Sequence, residues 1–140
     1  MTQTQRYLPF FGRLLIAVIF VLSGIMKVTA PGDTVNEIAA AGIPLAPVAY
    51  VIAILIELVG GLLLIVGYQT RWTALVVAVY CVVAALFFHN NFADQNQMIN
   101  FLKNLAMTGG LLQIVSFGAG SFSLDARFGR DRQTETMRHA

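Results

Sequence analysis

Residues 43–66 read IPLAPVAYVIAILIELVGGLLLIV, an apolar run in which Glu57 is the only charged residue. About 20 consecutive apolar residues are what an α-helix needs to cross a bilayer, so this run predicts a transmembrane helix. Counting about ten residues in from Pro47 puts Glu57 near the middle of a hydrocarbon core about 30 Å thick. A carboxylate is costly at that depth. We therefore expect Glu57 to point into the protein, either neutral or paired.

Three further stretches of the chain are almost free of charge. Together with the first they predict an all-α integral membrane protein built as a four-helix transmembrane bundle. A soluble bundle would need a polar stripe on each helix, and these segments lack one. The predicted spans are residues 7–27, 43–66, 72–88 and 100–122. We expect residues 1–122 to form a single membrane domain, and residues 123–140 to form a charged, mobile cytoplasmic tail with little packing.

The composition of the whole chain supports a membrane location. The 140 residues are 57% hydrophobic and 11% charged, with a mean hydropathy of +0.72, whereas soluble domains are about 25% charged. The single cysteine excludes an intrachain disulfide, a dithiol redox centre and a tetrahedral thiolate metal site. Because the arginines are concentrated in the tail, we expect the lipid bilayer, and not a nucleic acid, as the partner.

The distribution of basic residues predicts the orientation. If both termini lie on one side with the turn at residues 68–71, that side holds seven of the nine Lys and Arg residues. The positive-inside rule then makes both termini cytoplasmic. In the first outer loop, Pro31-Gly32-Asp33 is a helix-start signal followed by apolar residues at helical spacing, which predicts a short interfacial helix within residues 28–42.

Polar side chains concentrate in the outer half of the predicted bundle, above Glu57. They predict an outward-facing pocket over a buried acid, which suits an anion or a quinone-like head group. The candidate ligand-binding residues are Lys27, Glu57, His89, Asp94, Asn100, Lys103 and Asn104. The only histidine that can approach the core is His89, so we expect no metal site.

Each candidate also has a structural interpretation. Glu57 can be a hydrogen-bonded structural carboxylate, for which Lys103, Asn104 and Tyr80 are the nearest partners by depth. Lys27 can be an interfacial anchor, His89 a solvated loop residue, and the asparagines bridges between helices. We expect Arg13 to extend to the cytoplasmic surface through its long apolar stem, and Cys81 to serve packing. The glycines that we expect to serve helix packing are Gly24, Gly60, Gly61, Gly109 and Gly110.

Three polar motifs within these apolar spans resemble those of one family. Residues 20–27, FVLSGIMK, resemble the FxxSGxxK signature of the DoxX family; residues 57–61, ELVGG, resemble its ExxGG segment. Residues 98–105, MINFLKNL, resemble the NFxKN segment of the DoxX-like inner-membrane subgroup. The likeness covers about residues 8–127 and implies a small four-helix protein of the bacterial inner membrane.

Two classes of function remain open, and the resemblance bears on the first. Some relatives are associated with sulfur oxidation, with quinone-linked thiosulfate oxidation, or with an oxidative-stress complex with superoxide dismutase and a sulfurtransferase. The first hypothesis is therefore a redox-associated subunit that binds a quinone-like or sulfur-containing ligand. The alternative is a non-enzymatic membrane scaffold or a small oligomeric transporter. Because the sequence has no flavin, nucleotide or metal motif, redox chemistry would need a bound quinone or a membrane or periplasmic redox partner. The sequence leaves open whether the chain is an enzyme.

Overall fold

The structure, a computed structural model, describes residues 2–138 and contains only helices, turns and loops in that range. A π-helical segment, Leu55–Val59, joins α3 to α4 without a break, so that Ala46–Val66 forms one continuous helical span. The helices are α1 (Gln3–Thr29), α2 (Pro31–Ala40), α3 (Ala46–Ile54), α4 (Gly60–Val66), α5 (Thr70–Phe88), α6 (Gln95–Phe117) and α7 (Leu124–Arg138).

Three of these helical segments are long and apolar enough to cross a membrane: α1, Ala46–Val66 and α5. Helix α6 has 23 residues and packs along α5, but polar residues interrupt its first half. The structure therefore shows an all-helical membrane protein with three apolar spans and a fourth long helix beside them.

Local capping explains where the helices begin and end. Helix α1 starts at Gln3, before the predicted residue 7, because Thr2 and Gln5 form a capping box. Helix α6 starts at Gln95 because the Asp94 side chain accepts hydrogen bonds from the first turn. It ends at Phe117 because Gly118 adopts φ +81°, which an L side chain rarely adopts. The fourth long helix is therefore displaced towards the N-terminus relative to the predicted 100–122.

Small residues allow the helices to pack closely. The buried core includes Ala17, Phe20, Leu64, Ala74, Val77, Ala78, Cys81 and Leu111. A Cβ added at Gly61 would lie 2.7 Å from a Val21 methyl carbon, and one at Gly110 would lie 2.9 Å from Ile16. One at Gly60 would lie 3.0 Å from Val77, whereas one at Gly109 would meet nothing within 4 Å. Gly109 therefore makes no close helix contact.

One end of the helices, which we call the Arg13 end, is closed by residues 118–126. Arg13 is 1% exposed, so the expectation that it extends to the surface was wrong. Its Nη1 donates to the carbonyls of Leu64 (2.6 Å) and Ile65 (3.3 Å), and its Nη2 donates to the carbonyl of Phe122 (2.6 Å). These carbonyls lie at the end of α4 and in the loop before α7, where they lack helical partners.

The segment after Phe122 is also attached to the Arg13 end. Asp125 accepts hydrogen bonds from the backbone amides of Gln69 (2.8 Å) and Thr70 (2.9 Å), at the start of α5. Its own amide donates to the carbonyl of Gly67 at 2.9 Å. The expectation of a mobile tail with little packing was therefore wrong for the start of this segment, because a carboxylate there caps a helix distant in sequence.

Candidate functional site

A cavity of about 680 Å³ lies at the opposite end of the helices, which we call the α2 end. Its walls come from α1, α2, α5, α6 and the π-helical segment. Six of the seven candidate residues line it: Lys27, Glu57, His89, Asn100, Lys103 and Asn104. The volume falls in the range of about 300–1,000 Å³ that is typical of small-molecule sites.

Glu57 lies at the floor of this cavity and is 3% exposed. Its Oε1 lies 3.0 Å from Lys27 Nζ, and the Tyr80 hydroxyl donates to the same oxygen at 2.5 Å. Lys27 Nζ also donates to Ser23 Oγ at 2.8 Å. Of the three partners expected from depth, the structure pairs Tyr80 with Glu57 and adds Lys27. The Lys27 ammonium therefore reaches inward to a buried acid.

The π-helical segment and a close helix contact bring these groups together. Glu57 is the middle residue of Leu55–Val59, and π-helical turns within α-helices occur frequently at functional sites. A Cβ at Gly24 would lie 2.7 Å from Leu58 and 3.3 Å from Glu57 Cβ, so glycine lets α1 approach this segment. The Tyr50 hydroxyl donates to the Lys27 carbonyl at 3.1 Å and fixes the end of α1.

The wall formed by α6 carries polar groups that keep free hydrogen-bonding capacity. Asn104 Nδ2 donates to the Asn100 carbonyl at 3.0 Å, which leaves the Asn104 side-chain oxygen available. Lys103 is exposed and forms no ion pair with any residue in the range 2–138. His89 is half-buried at the end of α5. This wall can therefore donate hydrogen bonds to a ligand and accept them from it.

Comparison with known proteins identifies the family to which the chain belongs. The DoxX family profile matches residues 8–90, which include Lys27, Glu57, Tyr80 and His89. The chain belongs to the DoxX family. No solved structure matches it.

Three relatives extend the match beyond the profile. The chain is 36% identical over 81% of its length to inner membrane protein YqjF of Escherichia coli, and covers 85% of that protein. It is 31% identical over 82% of its length to inner membrane protein YphA of Escherichia coli, and covers 86% of it. An uncharacterized Haemophilus influenzae protein is 33% identical over 91% of this chain and 98% of its own length. This DoxX protein is therefore a multi-pass protein of the inner membrane.

Asp94 is the one candidate residue that does not line the cavity of this DoxX protein. It is exposed, and its Oδ1 accepts hydrogen bonds from the backbone amides of Asn96 (2.8 Å) and Gln97 (3.2 Å). The side chain therefore caps α6 and fixes where the helix carrying Asn100, Lys103 and Asn104 begins.

Helix α2 contributes a wall that the sequence analysis did not include. Thr34, Glu37 and Ile38 all line the cavity, and the spacing i, i+3, i+4 places them on one helical face. This spacing can be read from the sequence and could have identified one face of α2 as a wall of the cavity. Glu37 adds a second carboxylate, so the charged lining consists of two lysines and two glutamates. Within residues 2–138 no group of three or more His, Cys, Asp or Glu side chains is placed to hold a metal ion.

Proposed function

We propose that this DoxX protein is a redox-associated inner-membrane protein that binds the head group of a quinone-class ligand in the cavity. The observation that carries the proposal is the cluster of Lys27, Glu57 and Tyr80 at the cavity floor. Burying the Glu57 carboxylate between membrane helices is costly, and an ionisable residue within a membrane span is by default a candidate functional group.

The charge of the lining favours a neutral ligand. The charges of Lys27 and Lys103 are equal in number to those of Glu37 and Glu57, so the cavity as a whole has no net positive charge to attract an anion. A quinone is neutral, and its ring carbonyls can accept hydrogen bonds from the Lys103 ammonium and the Asn100 amide. These features favour a quinone over a sulfur oxyanion.

The apolar part of the lining suits the ring and the start of an isoprenoid chain. It is formed by Ile19, Phe20, Met26, Ile38, Ala84, Phe88 and Met107. Small-molecule sites are mostly apolar, with a few polar groups that fix the orientation of the ligand. Methionine is adaptable and makes favourable contacts with aromatic rings. A quinone ring held between these side chains would place a ring carbonyl next to Lys103 and Asn104.

For the topology we propose α6 as a fourth transmembrane helix, with both termini in the cytoplasm and α2 at the periplasmic interface. At 1.5 Å per residue, the 23 residues of α6 are long enough to cross the core. Its polar residues Asn100, Lys103 and Asn104 all line the cavity, which lies on one face of the helix. A cysteine at Asn96 should then react with a membrane-impermeant thiol reagent added from the periplasmic side. Reaction only from the cytoplasmic side would contradict this topology.

A buried core between the two ends favours a binding subunit over a transporter. Ala17, Leu64 and Leu111 are 0% exposed and belong to one buried core cluster, which we propose closes the cavity towards the Arg13 end. A ligand in the cavity is therefore accessible from one side of the protein. We propose that a membrane or periplasmic redox partner exchanges electrons with the bound quinone, because the sequence has no motif for a redox cofactor of its own.

The proposal is tested by extracting lipids from gently purified protein and by measuring the binding of decylubiquinone. Wild-type protein should retain a quinone and bind decylubiquinone. Lys103→Met should lower the affinity about tenfold, because it removes a charged donor. Asn96→Ala is the matched control on the exposed start of α6 and should bind like the wild type. Absence of binding to folded wild-type protein would reject the proposed function.

A further inference from the structure

One oxygen of the Glu57 carboxylate has no partner in the protein. Oε1 contacts both Lys27 Nζ and the Tyr80 hydroxyl, whereas Oε2 is buried and accepts no hydrogen bond from any residue in the range 2–138. A carboxylate has about four lone-pair sites, and a buried acceptor without a donor is destabilising. Because Glu57 lines the cavity, a ligand there is placed to supply the missing donor.

We propose that the ligand donates a hydroxyl hydrogen to Glu57 Oε2, so that the cavity binds the reduced form of a quinone more tightly than the oxidised form. This inference rests on the proposed function. A quinone ring offers hydrogen-bond acceptors but no donor, whereas a hydroquinone carries two O–H donors. The last torsion of a glutamate side chain is soft, so a small rotation can turn Oε2 towards the ligand, and the Tyr80 hydroxyl can follow the accompanying movement of Oε1.

The other polar groups of the lining discriminate less between the two forms. Lys103 and the Asn100 amide can donate to a carbonyl or to a hydroxyl oxygen, since both accept hydrogen bonds. Glu37 lines the cavity but is exposed, so water competes with the ligand for its carboxylate. The Asn104 side-chain oxygen can also accept from a hydroxyl, but it is neutral, and hydrogen bonds to a charged acceptor are roughly twice as strong. Selectivity for the reduced form therefore depends mainly on the buried carboxylate of Glu57.

The test compares three ligands of nearly the same shape on the full-length wild-type protein in nanodiscs, under anaerobic conditions. They are decylubiquinone, its hydroquinone, and the dimethyl ether of that hydroquinone, which keeps both oxygens but has no O–H. The hydroquinone should bind at least about tenfold more tightly than either of the others, as expected for a hydrogen bond to a charged acceptor.

Glu57→Gln converts the free acceptor into a donor. The Gln oxygen can still accept from Tyr80, which places the amide nitrogen at the position of Oε2. The preference for the hydroquinone should therefore disappear or reverse in favour of decylubiquinone. Asp33→Asn is the matched control, because Asp33 is an exposed carboxylate of α2 that does not line the cavity, and this variant should keep the wild-type preference.

The outcomes separate this inference from the proposed function. Equal affinity of the wild type for all three ligands would overturn the inference and leave quinone binding intact. Failure of the wild type to bind any of the three would overturn both. A preference for the hydroquinone that survives in folded Glu57→Gln would also overturn the inference. If that variant does not fold, the wild-type comparison of the hydroquinone with its dimethyl ether decides.

Discussion

The two ends of the molecule each bury a charged side chain, and the two side chains are paired in different ways. At the Arg13 end, Arg13 is 1% exposed and donates to three backbone carbonyls, those of Leu64, Ile65 and Phe122. At the α2 end, Glu57 is 3% exposed and is held by the side chains of Lys27 and Tyr80. Arg13 is enclosed by the backbone carbonyls that it binds, whereas Glu57 lies at the floor of an open cavity.

The difference shows that burial of a charge does not by itself identify a binding site. Carbonyls at the end of a helix need donors in a folded protein, and Arg13 supplies them. A second cavity of about 480 Å³ lies near the Arg13 end, but its carboxylate, Asp125, already accepts hydrogen bonds from Gln69 and Thr70. At the α2 end, Lys103 and one oxygen of Glu57 keep capacity for a ligand.

The largest effect on stability is expected for Arg13→Met. The substitution removes three hydrogen bonds from a charged donor and leaves buried carbonyls without partners, so the free energy of unfolding should fall by about 3 kcal/mol or more. The measurement is unfolding of the purified protein in detergent. Ligand affinity of the fraction that remains folded should not change, because Arg13 does not line the large cavity.

Arg6→Met provides the control for Arg13→Met, since Arg6 is exposed on the same helix and should change stability by less than about 0.5 kcal/mol. Equal stability of Arg13→Met and the wild type would mean that the guanidinium reaches water, as the sequence alone suggested.

The next effect is expected for Gly24→Ala, which acts at the α2 end. The added methyl would lie 2.7 Å from Leu58 and 3.3 Å from Glu57 Cβ. Overpacking of this kind costs about 1–3 kcal/mol, and it should also weaken ligand binding because it moves α1, and Lys27 with it, away from Glu57. Thermal unfolding and decylubiquinone binding measure the two effects.

Gly109→Ala is the matched control for Gly24→Ala, because a Cβ there meets nothing within 4 Å. Alanine in a helix interior is favoured over glycine by roughly 0.5–1 kcal/mol, so this variant should be slightly more stable than the wild type. A Gly24→Ala protein with unchanged stability and unchanged binding would show that the close approach of α1 does not position the site.

Much of the architecture could be predicted from the sequence because charge-free runs mark membrane helices. The family, the inner-membrane location, the all-helical fold and three helices apolar and long enough to cross a membrane were predicted and are confirmed. The partners of Arg13 could not be predicted, because Phe122 is 109 residues away along the chain and lies in a loop.

The pairing of Lys27 with Glu57 was missed for a different reason. Position along a span gives depth in the membrane, but it does not give the direction in which a side chain points. The π-helical segment Leu55–Val59 also departs from the α-helical period of 3.6 residues on which face assignments depend. Glu37 was missed because α2 was treated as an interfacial helix and not as a wall of the cavity.

The smallest effect is expected at Asp94, where the sequence analysis and the structure suggest different roles. As an N-cap, Asp94 should contribute about 1 kcal/mol, so Asp94→Ala should lower stability by that amount. Asp94→Ser should restore most of it, because serine also caps helices well. Decylubiquinone affinity should be the same in the wild type and in Asp94→Ser. If Asp94→Ser is as stable as the wild type but binds the ligand more weakly, Asp94 contacts the ligand directly, and the site extends from the cavity onto the loop before α6.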